Sequence, residues 1–153
     1  MLKLNLGCGR DYRKGYVNID NNPYAKTDLK HDLTKPLPYK DESVDEILCM
    51  AVLEHVPNPV KFLKECHRVL RPGGRLKFRV PLANTFLAHH DMTHINFFTP
   101  QSFKQRPYYG FKFRKTKVKV TLPLIHLIKF PYWFMYLNKF IEVFTGIEGV
   151  LIK

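Results

Sequence analysis

Acidic residues are scarce in this chain, as are cysteine and tryptophan. Its 153 residues carry 13 Asp and Glu against 25 Lys and Arg, with three cysteines and one tryptophan. Cys8, Cys49 and Cys66 are an odd number without a C-x-x-C pair. That argues against a disulfide framework and a Cys-rich zinc site, and makes a reducing, cytoplasmic setting the expectation. No stretch offers the roughly 20 uninterrupted apolar residues that span a bilayer. The most apolar one, Leu122–Thr145, is broken by Pro123, His126, Lys129, Pro131 and Lys139. Internal repeats and low-complexity segments are absent. No signal peptide is expected, because Met1 runs straight into Leu2–Leu6 and a glycine turn.

What is present is the composition of one ordinary globular domain over residues 1–153, with 45% hydrophobic and 25% charged residues. The charge is unevenly placed. Residues 101–153 hold ten Lys and Arg against Glu142 and Glu148, whereas the first hundred hold fifteen against eleven. A basic C-terminal third fits an acidic partner such as nucleic acid, lipid headgroups or an anionic substrate; solvated lysine on a small stable domain is the alternative.

Strand and helix signals alternate through the first two thirds. Leu2–Leu6 has period two and stops at Gly7. Tyr16–Ile19 is a second short strand closed by Asp20-Asn21-Asn22-Pro23, Thr27–Lys30 a weak third, and Asp45–Met50 a stronger one with an apolar run buried on both faces. Asn58 caps a helix with Pro59 at its first position and an apolar face of Val60, Phe62, Leu63, Cys66, Val69 and Leu70. Pro72-Gly73-Gly74 is expected to end that helix, and Leu76–Val80 to form the next strand. Strands separated by helical crossovers predict an α/β fold with a mostly parallel sheet. In Phe111–Val120 the apolar phase slips, which predicts a bulge near Lys115-Thr116 with Lys112, Arg114, Lys117 and Lys119 on one face.

Leu4-Asn5-Leu6-Gly7-Cys8-Gly9 is a strand running into a G-x-G turn, where glycine lets backbone approach a ligand, and Asp20 is a carboxylate ending the next strand. Together with Val17-Asn18-Ile19-Asp20, His31-Asp32-Leu33, the stretch Ser43–Pro57 and Arg68–Leu76, this order of motifs resembles the class I methyltransferases that use S-adenosylmethionine. The resemblance covers residues 2–103 and, more loosely, the final strand. It implies a Rossmann-like sheet ending in an antiparallel pair, Phe111–Val120 with Ile147–Ile152. It further implies a cofactor-binding core over residues 1–103, with 104–153 as a basic and aromatic C-terminal part. It also implies S-adenosylmethionine as cofactor, with Gly7, Cys8 and Gly9 facing its methionine part and Asp20 on the ribose hydroxyls. Asp32 and Leu33 would flank the adenine, Met50 and Ala51 line the pocket behind the sulfonium, and His55 sit nearby. Only Arg10–Gly15 separates the glycine loop from the second strand, so the first crossover helix is expected to shrink to about a turn, and the next crossover lacks a convincing helix too. With Lys3, Asn5, Lys77 and Arg79 on central strands, one sheet face should be thinly covered, unless Leu122–Thr145 folds back over it.

The resemblance places Asp91-Met92-Thr93-His94 above the active site. His94 is read as the catalytic base candidate, oriented by Asp91; a loop histidine bonding backbone groups is the alternative. No metal is expected, because Glu54 and His55 alone make a poor site. The expected activity is methyl transfer to an oxygen or nitrogen acceptor, a small or glycan-like hydroxyl compound. The alternative is a non-catalytic Rossmann-like module binding nucleic acid or a partner through Lys112, Arg114, Lys117 and Lys119. Those basic residues also suit a solvent-facing edge strand. Residues 122–145 are read as a sheet cover or a homodimer contact.

Overall fold

The computed structural model describes residues 1–104, 109–121 and 146–153. Its centre is one seven-stranded sheet. The strands are β1 (Lys3–Leu6), β2 (Val17–Asp20), β3 (Leu29–Lys30), β4 (Val44–Met50), β5 (Leu70–Pro81), β6 (Lys115–Thr121) and β7 (Gly146–Ile152). Their order across the sheet is β3-β2-β1-β4-β5-β7-β6. The first five pair in parallel, and β7 runs antiparallel to both β5 and β6. The order reverses between β1 and β4, and at such a switch point α/β sheets form the crevice that holds their ligands. This is the Rossmann-like topology with reduced helices that the motif order implied.

The helix after β4, α1 (Pro59–Val69), starts as its sequence dictates: the Asn58 side chain accepts from the Lys61 amide at 2.9 Å, and Pro59 takes the first turn. Phe62, Cys66 and Val69 bury its apolar face on the sheet, over Leu4, Leu6, Ile47, Cys49, Leu76 and Phe78. Each large apolar side chain so buried contributes roughly 1.5–3 kcal/mol.

Pro72-Gly73-Gly74 does not end that helix. The chain turns extended at Leu70, which already pairs with Val44, and the next partners are Arg75 and Glu46. Residues 71–74 therefore loop out of β5. Gly73 holds the left-handed φ of 80° that the loop needs, and its amide donates to the Lys153 carbonyl at 2.8 Å. The far strand also starts later than its pattern suggests. β6 begins at Lys115, so no bulge is required: Phe113, 2% exposed, and half-buried Phe111 pack from the segment before it. Lys112 and Arg114 consequently lie off the strand, while Lys117 and Lys119 share one of its faces with Lys115.

The first crossover contains no helix at all. Two asparagines do its work. Asn5 and Asn18 face each other in register on β1 and β2, and are 2% and 0% exposed. Asn5 Nδ2 donates to the Asp11 carbonyl (2.7 Å) and to Asn18 Oδ1 (3.0 Å). Asn18 Oδ1 accepts from the Arg13 amide at 2.8 Å, and Asn18 Nδ2 reaches the Arg13 and Tyr16 carbonyls and Asp28 Oδ2. The loop's backbone groups are thus satisfied by side chains of the sheet rather than by helical turns. On the opposite face, Arg68 and Glu65 of α1 clamp the equally helix-free segment after β3. Arg68 donates to the Leu37 and Tyr39 carbonyls, and Glu65 Oε1 accepts the Leu37 amide at 2.7 Å.

Among the described residues, no helix covers the sheet face that carries Lys3, Asn5, Glu46, Lys77 and Arg79. Tyr16 bonds Glu46 there, and burial with that bond pushes its hydroxyl up to about 12. Lys77 pairs with Glu46 at 2.9 Å and Lys119 with Glu148 at 3.3 Å. The Leu122–Thr145 segment and its roles as cover or dimer contact lie outside the described residues. No described helix is long and apolar enough to cross a membrane.

Candidate active site

The crevice begins at the carboxyl end of β1. Gly7 and Gly9 adopt left-handed φ of 62° and 49°. A Cβ on Gly7 would stand 2.5 Å from Val52 Cγ2, so only glycine lets β1 turn against the chain leaving β4. Nothing lies within 4 Å of where a Cβ on Gly9 would point, which leaves that backbone open to a ligand. The turn is locked to β2: the Gly7 and Cys8 amides donate to the Ile19 carbonyl at 2.8 and 3.2 Å.

Asp20 finishes the lock. Its Oδ2 accepts the Gly9 amide and its Oδ1 the Asn22 amide, each at 2.8 Å. One lone pair on each oxygen remains for a ligand's hydroxyls. Cys8 turns inward: it is 4% exposed, its thiol donates to the Lys26 carbonyl, and burial together with the Asp20 charge raises its pKa. Its side chain is therefore a packing element, and only its backbone belongs to the loop's ligand face.

Asp32 accepts from the Thr34 amide (2.9 Å) and hydroxyl (2.8 Å), which hold its carboxyl below the usual carboxylate range. Leu33 is half-buried against the core and borders a cavity of about 650 Å³ that runs along α1 to Phe111. At the end of β4, Met50 is half-buried, and Ala51 holds φ 55° while its amide donates to the Arg79 carbonyl at 2.9 Å. A non-glycine residue in that region costs of order 1–3 kcal/mol and persists where the surroundings dictate it. Here it re-aims the chain at the crevice.

The segment between β5 and β6 returns over this edge. Leu82 and Phe98 form a bridge, and between them lies the short helix α2 (Phe86–His89). Asn96, a residue no motif signalled, pins the return: its Nδ2 donates to the Leu53 (3.2 Å) and Val56 (2.7 Å) carbonyls. The Ile95 and Asn96 amides both donate to the Glu54 carbonyl. This brings His94 to His55, with ring centroids 4.7 Å apart.

Asp91 does not orient His94. Its Oδ1 accepts the Thr93 hydroxyl (2.7 Å) and amide (2.8 Å), which depress its pKa. The Ala88 carbonyl, 3.0 Å from His94 Nδ1, fixes the imidazole instead. His55 Nδ1 lies 3.2 Å from the Thr93 carbonyl and 3.0 Å from its hydroxyl. In the segment that carries His94, the large apolar side chains Phe86, Met92, Ile95 and Phe97 are all exposed. Phe86 stacks on His90 and Phe97 on His89.

Residues 4–78 match the family model described as a methyltransferase domain. Over 83 residues, 54% of this chain and 32% of the relative, the sequence is 37% identical to a probable S-adenosylmethionine-dependent methyltransferase of Mycolicibacterium smegmatis. Over 99% of the chain and 72% of the relative it is 30% identical to the uncharacterized protein MJ0638 of Methanocaldococcus jannaschii. The fold matches a SAM-dependent methyltransferase structure from Archaeoglobus fulgidus with a TM-score of 0.74 at 18% identity, covering 99% of this chain and 85% of that one. Sequence and topology agree, and the chain belongs to the class I S-adenosylmethionine-dependent methyltransferase family, as a small member with reduced helical content.

Proposed function

We propose that this chain binds S-adenosylmethionine and transfers its methyl group to an oxygen or nitrogen acceptor, a small or glycan-like hydroxyl compound. The observation that carries the reading is the intact Gly7–Gly9 turn with Asp20 bonded to the Gly9 amide. A module that had abandoned the cofactor would have no need of two left-handed glycines and a carboxylate aimed at them. The open space over Gly9 and the free lone pairs of Asp20 suit a ligand with vicinal hydroxyls.

When bound, the cofactor supplies a methyl group on a positively charged sulfur. The chain holds donor and acceptor in attack geometry, an effect worth roughly 7–11 kcal/mol of barrier. A hydroxyl acceptor must also lose a proton. Because a carbonyl only accepts, His94 Nδ1 carries the ring's proton and Nε2 is free to take one from the acceptor. The exposed Phe86 and Phe97 rings offer faces on which a flat or ring-shaped acceptor can stack.

The non-catalytic alternative draws less support, since Lys119 is paired with Glu148, and Lys112 and Arg114 lie off β6. Calorimetric titration with S-adenosylmethionine and S-adenosylhomocysteine tests the proposal. Saturable one-to-one binding of both is expected, and no heat from either overturns it.

A further inference from the structure

Sheets built on parallel strands are normally covered by helices on both faces. Here α1 covers one, and among the described residues no helix lies over the other. The strand register fixes what that second face presents over its antiparallel half. Arg75, Lys77 and Arg79 alternate along β5, opposite Ile152, Val150 and Glu148 of β7. Those three in turn stand opposite Lys115, Lys117 and Lys119 of β6. Residues directly opposite one another share a face, so two files of three cations flank one central file. Neighbouring strands lie about 4.8 Å apart, which sets the cation files roughly 10 Å from each other. Along each file successive cations are about 7 Å apart.

The central file forms a floor. Val150 and Ile152 are half-buried, whereas Arg75, Arg79, Lys115, Lys117 and Lys119 are exposed. The trough between the files holds a cavity of about 570 Å³, whose lining includes Met50, Lys77, Lys117, Lys119, Glu148 and Val150. Lys77 is paired with Glu46 and Lys119 with Glu148. Among the described residues, Arg75, Arg79, Lys115 and Lys117 have no ion pair, so the trough keeps a surplus of positive charge on both sides.

We propose that this trough is a docking surface for an acidic amphipathic helix of a different protein, which supplies the layer the sheet lacks. An α-helix with its side chains is about 10–12 Å across, the width between the cation files. Acidic residues four apart on a helix are separated by a rise of about 6 Å, close to the spacing of the cations along each strand. An apolar stripe on Val150 and Ile152, with acids on both flanks, meets all four unpaired cations within about two to three turns. A flat bilayer meets the cations but leaves the recessed floor unused. A single nucleic-acid strand finds no ring to stack on, because β4 to β7 present no aromatic side chain on this face. The chain has no matching helix of its own to offer. α1 carries Glu65 beside Lys61, Lys64 and Arg68, and Leu122–Thr145 has Glu142 against Lys129 and Lys139. A second copy would set one basic face against another. The surface stands whether or not the chain transfers methyl groups.

The probe is a synthetic helical peptide of about 18 residues, long enough to hold helix, with a leucine stripe flanked by glutamates. It is titrated against the full chain by fluorescence anisotropy. Saturable one-to-one binding that weakens with salt is expected. Arg75→Glu with Lys117→Glu should reduce affinity at least roughly ten-fold, by setting like charges against the peptide. Lys115→Glu with Lys117→Glu, both exposed on the edge strand, repeats the test away from Glu46. Lys61→Glu with Lys64→Glu makes the same change of net charge on α1 and should leave affinity as it was. No binding, equal binding of a scrambled peptide of the same composition, or an equal loss in the α1 variant overturns the surface. Tighter binding of poly(U) or of phosphatidylglycerol vesicles through Arg75 and Lys117 overturns it in favour of RNA or a membrane. Acetylation of the free chain, read by mass spectrometry, should modify Lys117. A shielded Lys117 overturns the proposal, because the chain's own residues or a second copy then fill the trough.

Discussion

Asp20→Ala separates two jobs that one side chain performs. In the free protein the carboxylate accepts the Gly9 and Asn22 amides at 2.8 Å each. Hydrogen bonds to a charged group contribute about 1.5–3 kcal/mol each. Asn22 is exposed and water replaces its partner readily. The loss is therefore set by the Gly9 bond, about 1.5–2 kcal/mol. For a chain of this size that lowers Tm by about 3–8 °C. Binding should suffer separately, because the ribose hydroxyls lose their acceptors. A further 1.5–3 kcal/mol corresponds to roughly a 10- to 150-fold weaker S-adenosylhomocysteine titration. Differential scanning calorimetry of the free protein reads the first effect, and isothermal titration below the variant's Tm reads the second. A lowered Tm with unchanged affinity refutes Asp20 as the ribose anchor. Affinity lost at an unchanged Tm refutes the lock between Asp20 and the glycine turn.

Gly149→Ala should destabilise by at least about 2 kcal/mol, as overpacked cores do. Its Cβ would stand 2.4 Å from the ring of Phe78, which is 1% exposed and stacked on Phe103. Rescue of Tm by Phe78→Leu in the same chain checks the cause. Asn96→Ala should cost about 1–3 kcal/mol by orphaning the Leu53 and Val56 carbonyls. It should also raise hydrogen exchange across residues 91–96 while leaving β1 protected. Glu65 is held below its ordinary value near 4.5 chiefly by the Arg68 guanidinium, against the effect of burial. Its contribution is complete above that ordinary value and is lost as pH falls through the depressed one. Glu65→Gln should therefore melt earlier than the parent near neutrality, and the gap should close in acid. A gap independent of pH rules out the ion pair as its source.

The sequence announces β1, β4 and α1 because their apolar periodicity and the Asn58-Pro59 start are local signals. The glycine turn and Asp20 are legible for the same reason, since strand, turn and carboxylate follow one another within a short stretch. Elsewhere the deciding contact comes from far along the chain. Pro72-Gly73-Gly74 carries every mark of a helix stop, yet Leu70 is drawn into the sheet by Val44 and the turn is held by Lys153. Asn5, with Lys3, Lys77 and Arg79, points to a thin sheet face, but nothing in the sequence pairs it with Asn18; only their register across β1 and β2 makes the two a substitute for a helix. His94 stands out by its loop, and His55 by its segment. That they share a cluster depends on Asn96, whose side chain reaches back to two carbonyls that no pattern marks.

The position of β7 has a consequence for how the chain is made. In sequence β6 comes before β7, but in the sheet β7 lies between β5 and β6 and supplies all the backbone partners of Lys115–Thr121. Translation delivers about 5–20 residues per second. The strands of the parallel half, β1 to β5, and β6 itself are therefore all made before the strand that joins them. Until β7 arrives, β6 has no partner in the sheet and the free side of β5 is an open edge. Lys115, Lys117 and Lys119 on one strand are the kind of charge that keeps such a segment from pairing with a neighbouring chain. Completion is then a single zipping event, with Gly146–Ile152 inserted between two waiting strands. A chain lacking Gly146–Ile152 should therefore leave the free side of β5 exposed and β6 without a place in the sheet, the form most in need of a chaperone.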